Sequence, residues 1–456
     1  MKIDGKRSLS LLLALVVTLT AVGCSSQSLA PQGSPAPGET VEKTEEKPVE
    51  EAFVYPEILF PLTRERIDAI PIADSSMSSD ELRRICVDFM RLQLSFEWTP
   101  DRDLDYRIET EMHNNKPMHF ERGTLYAGCP YRAGNNCGTS GNLYTVMELY
   151  DPATGVISAE GLTTDRLTAL ISNHCSSSCY WAWSRVVNTM LGASDDLTKQ
   201  GWSNARMVKS EGFLPVGPYT YTGITRWDEG DGTRAVCEAN GEQTMYRSYA
   251  ALLPADGLIQ LYPKTTSNAN HVQMVSAAAE VSYLPDGSID GENSFVTVLE
   301  QTSTPLETTR SDGKTVWLEG RIDGRISFQN MFKSSYLPFT FAEFCGEDPV
   351  EPLKLALVHK DGKKIESLSD LRDATLTANY PISSVTVTAV DARSETVYTR
   401  NAHPGYIGSF YYELFTVISI APIAHEEKGC SVKITVQLGN GQLVPIYENG
   451  ALILPQ

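Results

Sequence analysis

A thiol, an imidazole and a carboxylate are the groups through which this sequence can do chemistry, and each sits in a different kind of segment. The thiol is Cys179, in the run Asn173-His174-Cys175-Ser176-Ser177-Ser178-Cys179-Tyr180-Trp181-Ala182-Trp183. Three serines in succession disfavour continuous helix and make good N-caps, because their hydroxyls compete for nearby backbone groups. From Cys179 onward the pattern is helical: Cys179, Trp183, Val186 and Met190 fall on one face of a period of about 3.6 residues. The spacing predicts Cys179 in the first turn of a helix, where unpaired N–H groups and the positive end of the macrodipole stabilise a thiolate. The same stripe also fits a buried helix face, since cysteine is among the most buried residue types.

The imidazole and the carboxylate lie on segments with a period of two. His271–Ala277 and Phe295–Glu300 read as strands, joined by a loop that holds the turn signals Pro285-Asp286-Gly287 and Asp290-Gly291. If His271 stands opposite Glu300 in an antiparallel hairpin, the loop centre falls between Pro285 and Asp286, inside the first turn signal. Facing positions would bring the imidazole within a hydrogen bond of the carboxylate, although a slipped register would move the pair. Together Cys179, His271 and Glu300 offer nucleophilic amide hydrolysis. The thiolate attacks, the histidine serves as base and then acid, and the carboxylate fixes its tautomer. That chemistry needs neither metal nor other cofactor. Two other dispositions of the same residues stay open: zinc held by His174, Cys175, Cys179 and His271, or a disulfide between Cys175 and Cys179 that leaves no nucleophile.

These residues must be carried by a chain of 456 residues, too long for one ordinary domain. A hydrophobic share of 41% and 25 prolines fit a globular protein rich in loops. The net charge of −19 argues against nucleic-acid binding, which needs a basic footprint. Residues 1–23 read as an export signal: Lys2, Lys6 and Arg7 precede a short apolar core, Leu11–Thr20, too brief to span a bilayer. Residues 24–56 are Ser, Pro, Gly, Glu and Lys with little to bury, and six glutamates against two lysines between Glu39 and Glu51 keep them solvated and extended. Beyond Cys24 there are cysteines at 86, 129, 137, 175, 179, 237, 345 and 430, which an exported protein can oxidise; Cys129 and Cys137 are close enough to bridge a small loop.

The folded chain divides in two. Over 57–345 the sequence is α+β. Ser78 and Glu81 form a capping box ahead of the stripe Leu82, Ile85, Phe89 and Leu92; residues 163–173 read as a helix; Leu258–Tyr262 and the hairpin are strands. Asp228–Gly232 is an acidic turn that lacks the spaced oxygens of a calcium loop. Over 346–456 short alternating strands are broken by turn residues, an all-β pattern closest to a sandwich.

With these motifs assembled, a family resemblance can be stated. Ser178–Val186 resembles the nucleophile motif of CHAP domains, amidase and peptidase modules of the papain-like, NlpC-type clan. His271-Val272-Gln273-Met274-Val275 is similar to the histidine strand of that family, and Val296–Gln301 to the strand that ends in its third polar residue. Ala255-Asp256-Gly257 is similar to the turn opening the histidine strand, and Gly128-Cys129-Pro130-Tyr131 to a segment upstream of the nucleophile. The match covers roughly Leu125 to Thr302, in the order Cys, His, Glu. Ser178 stands where the family often has Gln, and Thr302 where Asn is common. The resemblance implies a papain-like cysteine hydrolase domain ahead of the sandwich-like one, with Cys179, His271 and Glu300 catalytic and Tyr131 and Trp181 lining the cleft. It implies peptidoglycan or another cell-wall polymer as substrate. Separately, Ala21-Val22-Gly23-Cys24 resembles the bacterial lipoprotein lipobox, which implies a diacylglycerol on Cys24 and attachment to the outer face of the cytoplasmic membrane. The competing expectation is a non-catalytic wall-binding lipoprotein on the same fold.

Overall fold

The computed structural model describes residues 62–106, 118–131, 142–158, 160–162, 167, 170–188, 213–221, 232–262, 270–310, 312–346, 349–404 and 410–453. The export signal, Cys24, the acidic tether, Cys137 and most of the acidic turn at Asp228 lie outside these residues, as does most of the expected helix over 163–173. The described residues form a mixed α/β protein in which sheet predominates.

The first long element is the helix Ser79–Ser95, and its start is written in the sequence. The Ser78 side chain accepts the Glu81 N–H while the Glu81 carboxylate accepts the Ser78 N–H, so two otherwise unpaired donors are satisfied reciprocally. Leu82, Ile85, Phe89 and Leu92 are buried along one face, each contributing about 1.5–3 kcal/mol. Gln93 is buried too, because both ends of its amide are used. Its Nε2 donates to the Ser178 carbonyl at 3.0 Å and its Oε1 accepts from Asn173 Nδ2 at 3.2 Å. The long helix is thereby tied to the cysteine segment.

Helix Ser79–Ser95 packs on a sheet of ten strands among the described residues. Its middle is made of three long antiparallel neighbours, His271–Glu280, Phe295–Thr309 and Thr315–Ser327. Gly257–Gln260, Leu337–Phe341 and Phe213–Pro215 extend it beyond the histidine strand. Tyr126–Ala127, Glu97–Pro100, Val156–Ile157 and Tyr150–Asp151 extend it on the other side. The turn before Gly257 is fixed by Asp256, whose carboxylate is buried against Arg83 of the long helix at 2.6 Å.

The hairpin has its tip where the turn residues place it. Leu284-Pro285-Asp286-Gly287 closes with Gly287 N–H donating to Leu284 O at 2.9 Å. The register nevertheless differs from the expected one. Two irregularities, between Phe295 and Thr297 and between Thr297 and Val298, shift the pairing so that Val298 faces Val275 and Leu299 faces Met274. Continued by one residue, that register sets Glu300 opposite Gln273 and leaves His271 two positions along. A shift of two keeps both side chains on one face, so the pair becomes diagonal rather than direct.

Beyond Gly346 a three-stranded sheet and a five-stranded sheet share a second buried cluster that includes Leu376, Val385, Val387, Val432 and Ile434. The expectation of an all-β unit needs correction, since Leu368–Arg372 and Ile420–Glu427 are helices. Pro422 does not prevent the second, because it lies in the first turn, where no intrahelical bond needs the N–H that proline lacks. This region meets the rest through Asn142 Nδ2 on Ser383 Oγ at 2.8 Å and His403 Nε2 on Glu148 Oε2 at 3.2 Å.

One glycine holds the long helix to the segment that follows it. Gly128 has φ +72°, and a Cβ there would lie 2.6 Å from the Leu94 carbonyl oxygen. Gly123 has φ +77° but no atom within 4 Å of its would-be Cβ. Gly128→Ala is therefore expected to cost on the order of 2 kcal/mol more than Gly123→Ala in urea unfolding, the two sharing the left-handed penalty and differing in the backbone clash. Equal losses would mean that the contact with Leu94 is not tight.

Candidate active site

The cysteine helix begins four residues earlier than the serine run suggests. It spans Cys175–Trp183, and His174 is its N-cap. The His174 ring accepts the Ser177 N–H at Nδ1, 3.2 Å, and the Ser177 hydroxyl accepts the His174 N–H at 2.9 Å, a reciprocal cap in which imidazole stands in for the usual hydroxyl or carboxylate. The serines lie inside the helix, where the Ser178 hydroxyl bonds back to the carbonyls of His174 and Cys175 at 3.1 Å. Cys175 occupies the first helical position, and Cys179 sits one turn further in. Both are thiols rather than halves of a disulfide.

This displacement decides which sulfur meets the imidazole. The Cys175 thiol donates to the Asn270 carbonyl at 4.0 Å, beside the strand start that carries His271, and it lies close enough to the imidazole to act on its titration. His271 Nε2 lies 2.5 Å from Glu300 Oε2. Burial opposes the imidazolium, but hydrogen bonds and charge from Cys175 and Glu300 outweigh it and push His271 up to about 10. The Tyr336 ring stands edge-on to the imidazole at 6.4 Å. Glu300 is more deeply set, its side chain 5% exposed against 16% for His271. Burial alone would raise its pKa. His271, the Arg321 guanidinium at 3.1 Å from Oε1, and the Gln273 amide at 2.6 Å from Oε2 reverse this and hold it below its ordinary value.

Of the residues expected at the site, His271 and Glu300 come together, and Cys179 lies near enough for the Glu300 charge to act on it, while the thiol that acts on His271 is Cys175. Cys179 is fully buried, and burial first, then the charges of Cys175 and Glu300, raise its pKa well above that of an ordinary thiol. Cys175, at 1% exposure, belongs to the same buried core. Tyr131 is buried beside the cysteine segment, bridged to Asn173, with its N–H on Glu319 Oε2 at 2.5 Å. Trp181 is buried elsewhere, edge-on to Tyr180 and packed against Gly439 of the C-terminal region, so it does not line the site. His174 uses Nδ1 to cap the helix, and among the described residues no group of three metal-ligating side chains converges.

The residue order placed Cys175 only as a zinc ligand or disulfide partner and gave no role to Gln273 or Arg321. For Cys175 a signal existed in the His174–Ser177 spacing of a reciprocal cap, masked by the stronger N-cap preference of the serines. Gln273 follows from His271 by the period of two. Arg321 has no such signal, because its approach depends on sheet register.

Two expectations follow from these environments. Iodoacetamide added to the native chain should label Cys175 and spare Cys179, and His271→Ala should suppress the labelling, as read by peptide mass mapping; preferential reaction at Cys179 would contradict the geometry. The second concerns pH. His271 has a raised pKa, so its contribution to stability is complete below about 6.5 and lost as pH rises toward 10. Burial pushes the Glu319 carboxyl up to about 8, so its ionisation destabilises the fold between about 4.5 and 8. Glu300, with a lowered pKa, contributes above about 4.5 and loses that contribution in acid. The urea midpoint should thus be higher at pH 6 than at pH 9, and Glu319→Gln should reduce the difference; a midpoint that rises with pH would contradict both placements.

Comparison with family models, with curated proteins and with solved structures finds no match to this chain.

Proposed function

We propose that the chain is a membrane-anchored, extracytoplasmic cysteine hydrolase that cleaves amide bonds, with peptidoglycan as its substrate, and that Cys175 rather than Cys179 is the nucleophile. The observation that carries this reading is the grouping of Cys175, His271 and Glu300 from a helix start and two neighbouring strands, with the imidazole hydrogen-bonded to the carboxylate and the thiol close enough to act on it. In this reading His271 takes the thiol proton and Glu300 holds the resulting imidazolium. The thiolate attacks the amide carbonyl carbon, and backbone N–H groups of the helix's first turn meet the oxyanion. The imidazolium then protonates the leaving amine as the C–N bond breaks, giving a thioester on Cys175. Water, deprotonated by His271, attacks the thioester, and the departing sulfur returns Cys175 to its starting state. No step requires a cofactor.

Support for the papain-like fold is the order Cys, His, Glu and the placement of the cysteine at a helix start with the histidine and carboxylate on adjacent strands. Support for the location is the signal-like sequence over residues 1–23, directly ahead of Cys24, and the polar composition of the segment after it. No described helix is long and apolar enough to cross a membrane. One observation favours the second reading, a non-catalytic wall-binding lipoprotein: Cys175 is only 1% exposed, a degree of closure that a binding scaffold tolerates.

Purified sacculi digested with the wild-type chain should release soluble fragments that mass spectrometry assigns to one class of amide cleavage. Cys175→Ala should lower the rate by at least about a thousandfold, as removal of a nucleophile does, whereas Cys179→Ala should retain most of it. Loss of activity in Cys179→Ala alone would overturn the assignment. Identical profiles with and without Cys175 would favour the binding reading.

A further inference from the structure

We propose that Arg321 is a positioning residue for Cys175, His271 and Glu300, brought onto the Glu300 carboxylate by a β-bulge built for that purpose; the inference rests on the hydrolase reading above. Val298 faces Gly324 and Glu300 faces Arg321, so one residue of Phe295–Thr309, Leu299, opposes two of Thr315–Ser327, Ile322 and Asp323. Asp323 adopts φ +54°, a left-handed conformation that side chains resist. It is held there from two directions. Arg91 of the long helix grips both carboxylate oxygens at 2.5 and 2.6 Å, and the Ser276 hydroxyl donates to Oδ1 at 2.7 Å. The residue after the bulge is Gly324, and it has to be small. A Cβ there would lie 1.9 Å from Cδ and 2.5 Å from Cγ of Arg321, whose stem crosses the glycine on its way to Glu300.

The outcome is a full set of partners for a buried carboxylate. Oε2 takes His271 and Gln273, and Oε1 takes Arg321, so the carboxylate cannot turn away from the imidazole. The titratable and charged groups around it are His271 from the neighbouring strand, Arg321 from the other, Cys175 and Cys179 from the helix, and Tyr336 edge-on to His271. Arg321 brings a guanidinium to this set, 3.1 Å from Oε1. Removing it makes Glu300 easier to protonate and takes positive charge from the neighbourhood of the thiolate. Both changes move the acid limb of Cys175 reactivity in the same direction, upward.

The test is the pH profile of iodoacetamide alkylation at Cys175 in the full chain, with Cys179→Ala as background so that one thiol of that helix reacts. Arg321→Gln should move the acid limb up by about one pH unit, the low end for an arginine beside a carboxylate, because its side chain is 38% exposed and partly screened. On the limb that is about a tenfold slower reaction. Arg321→Lys should keep most of the wild-type profile. Gly324→Ala touches only the flexible arginine stem, and it should reproduce the Arg321→Gln shift while still unfolding cooperatively. Superimposable profiles for Arg321→Gln and the background, or uniform slowing at every pH with no shift, would overturn the inference. A Gly324→Ala profile that stays with the background while Arg321→Gln shifts would overturn the role given to the bulge. A wild-type Cys175 with the reactivity of an ordinary cysteine would remove the hydrolase reading itself, a result distinct from an activated thiol indifferent to Arg321.

Discussion

A carboxylate removed from water has to be surrounded by donors or it will take up a proton, and Glu300 imposes that demand on the middle of the sheet. Its position is set by the hairpin and the strand beyond it. One neighbour supplies the His271 ring and the Gln273 amide, and the other supplies the Arg321 guanidinium. A donor set that closes on both oxygens makes the anion the stable form inside the protein. The anion, in turn, raises the proton affinity of His271, and a basic imidazole is what a thiol needs beside it to become a nucleophile.

The second constraint is the exact turn of helix that delivers the sulfur. Two thiols four residues apart share a helix and a face, yet their surroundings separate them. Cys175 sits at the first helical position, where the backbone offers N–H groups and the thiol lies close enough to the imidazole to act on its titration. Cys179 lies one turn inward among buried groups, where burial keeps it protonated. The helix start is fixed from outside as well as by its own cap. Gln93 of the long helix binds both Ser178 and Asn173, so the frame that carries the largest stripe of core residues also locates the cysteine segment. Stability and site geometry therefore share residues.

Much of this was legible in the residue order. The capping box at Ser78 and Glu81, the stripe from Leu82 to Leu92, the strands at His271 and Phe295, and the turn at Pro285 are local patterns, and local physics decides them. His271 and Glu300 were brought together because a period of two preserves the face even when the register moves by two. The helix start was placed one turn too far along because N-cap preference favours serine, while here an imidazole and the tertiary grip of Gln93 fix it at His174. Arg321 was invisible for a different reason. Its approach to Glu300 depends on a bulge whose left-handed residue is held by Arg91 and Ser276, distant in sequence, and no window of the chain contains all of them. The helix at Ile420–Glu427 was not expected, because the alternating strands around it set the pattern of the C-terminal region.

The central claim is that Cys175, and not Cys179, shares a proton with His271. An NMR titration of the His271 imidazole in three chains tests it directly: wild type, Cys175→Ser and Cys179→Ser. The imidazole is expected to titrate well above an ordinary histidine in wild type and in Cys179→Ser, and to fall toward the ordinary range in Cys175→Ser. A His271 that titrates near 6.5 in wild type, or one that responds to replacement of Cys179 and ignores replacement of Cys175, would contradict it.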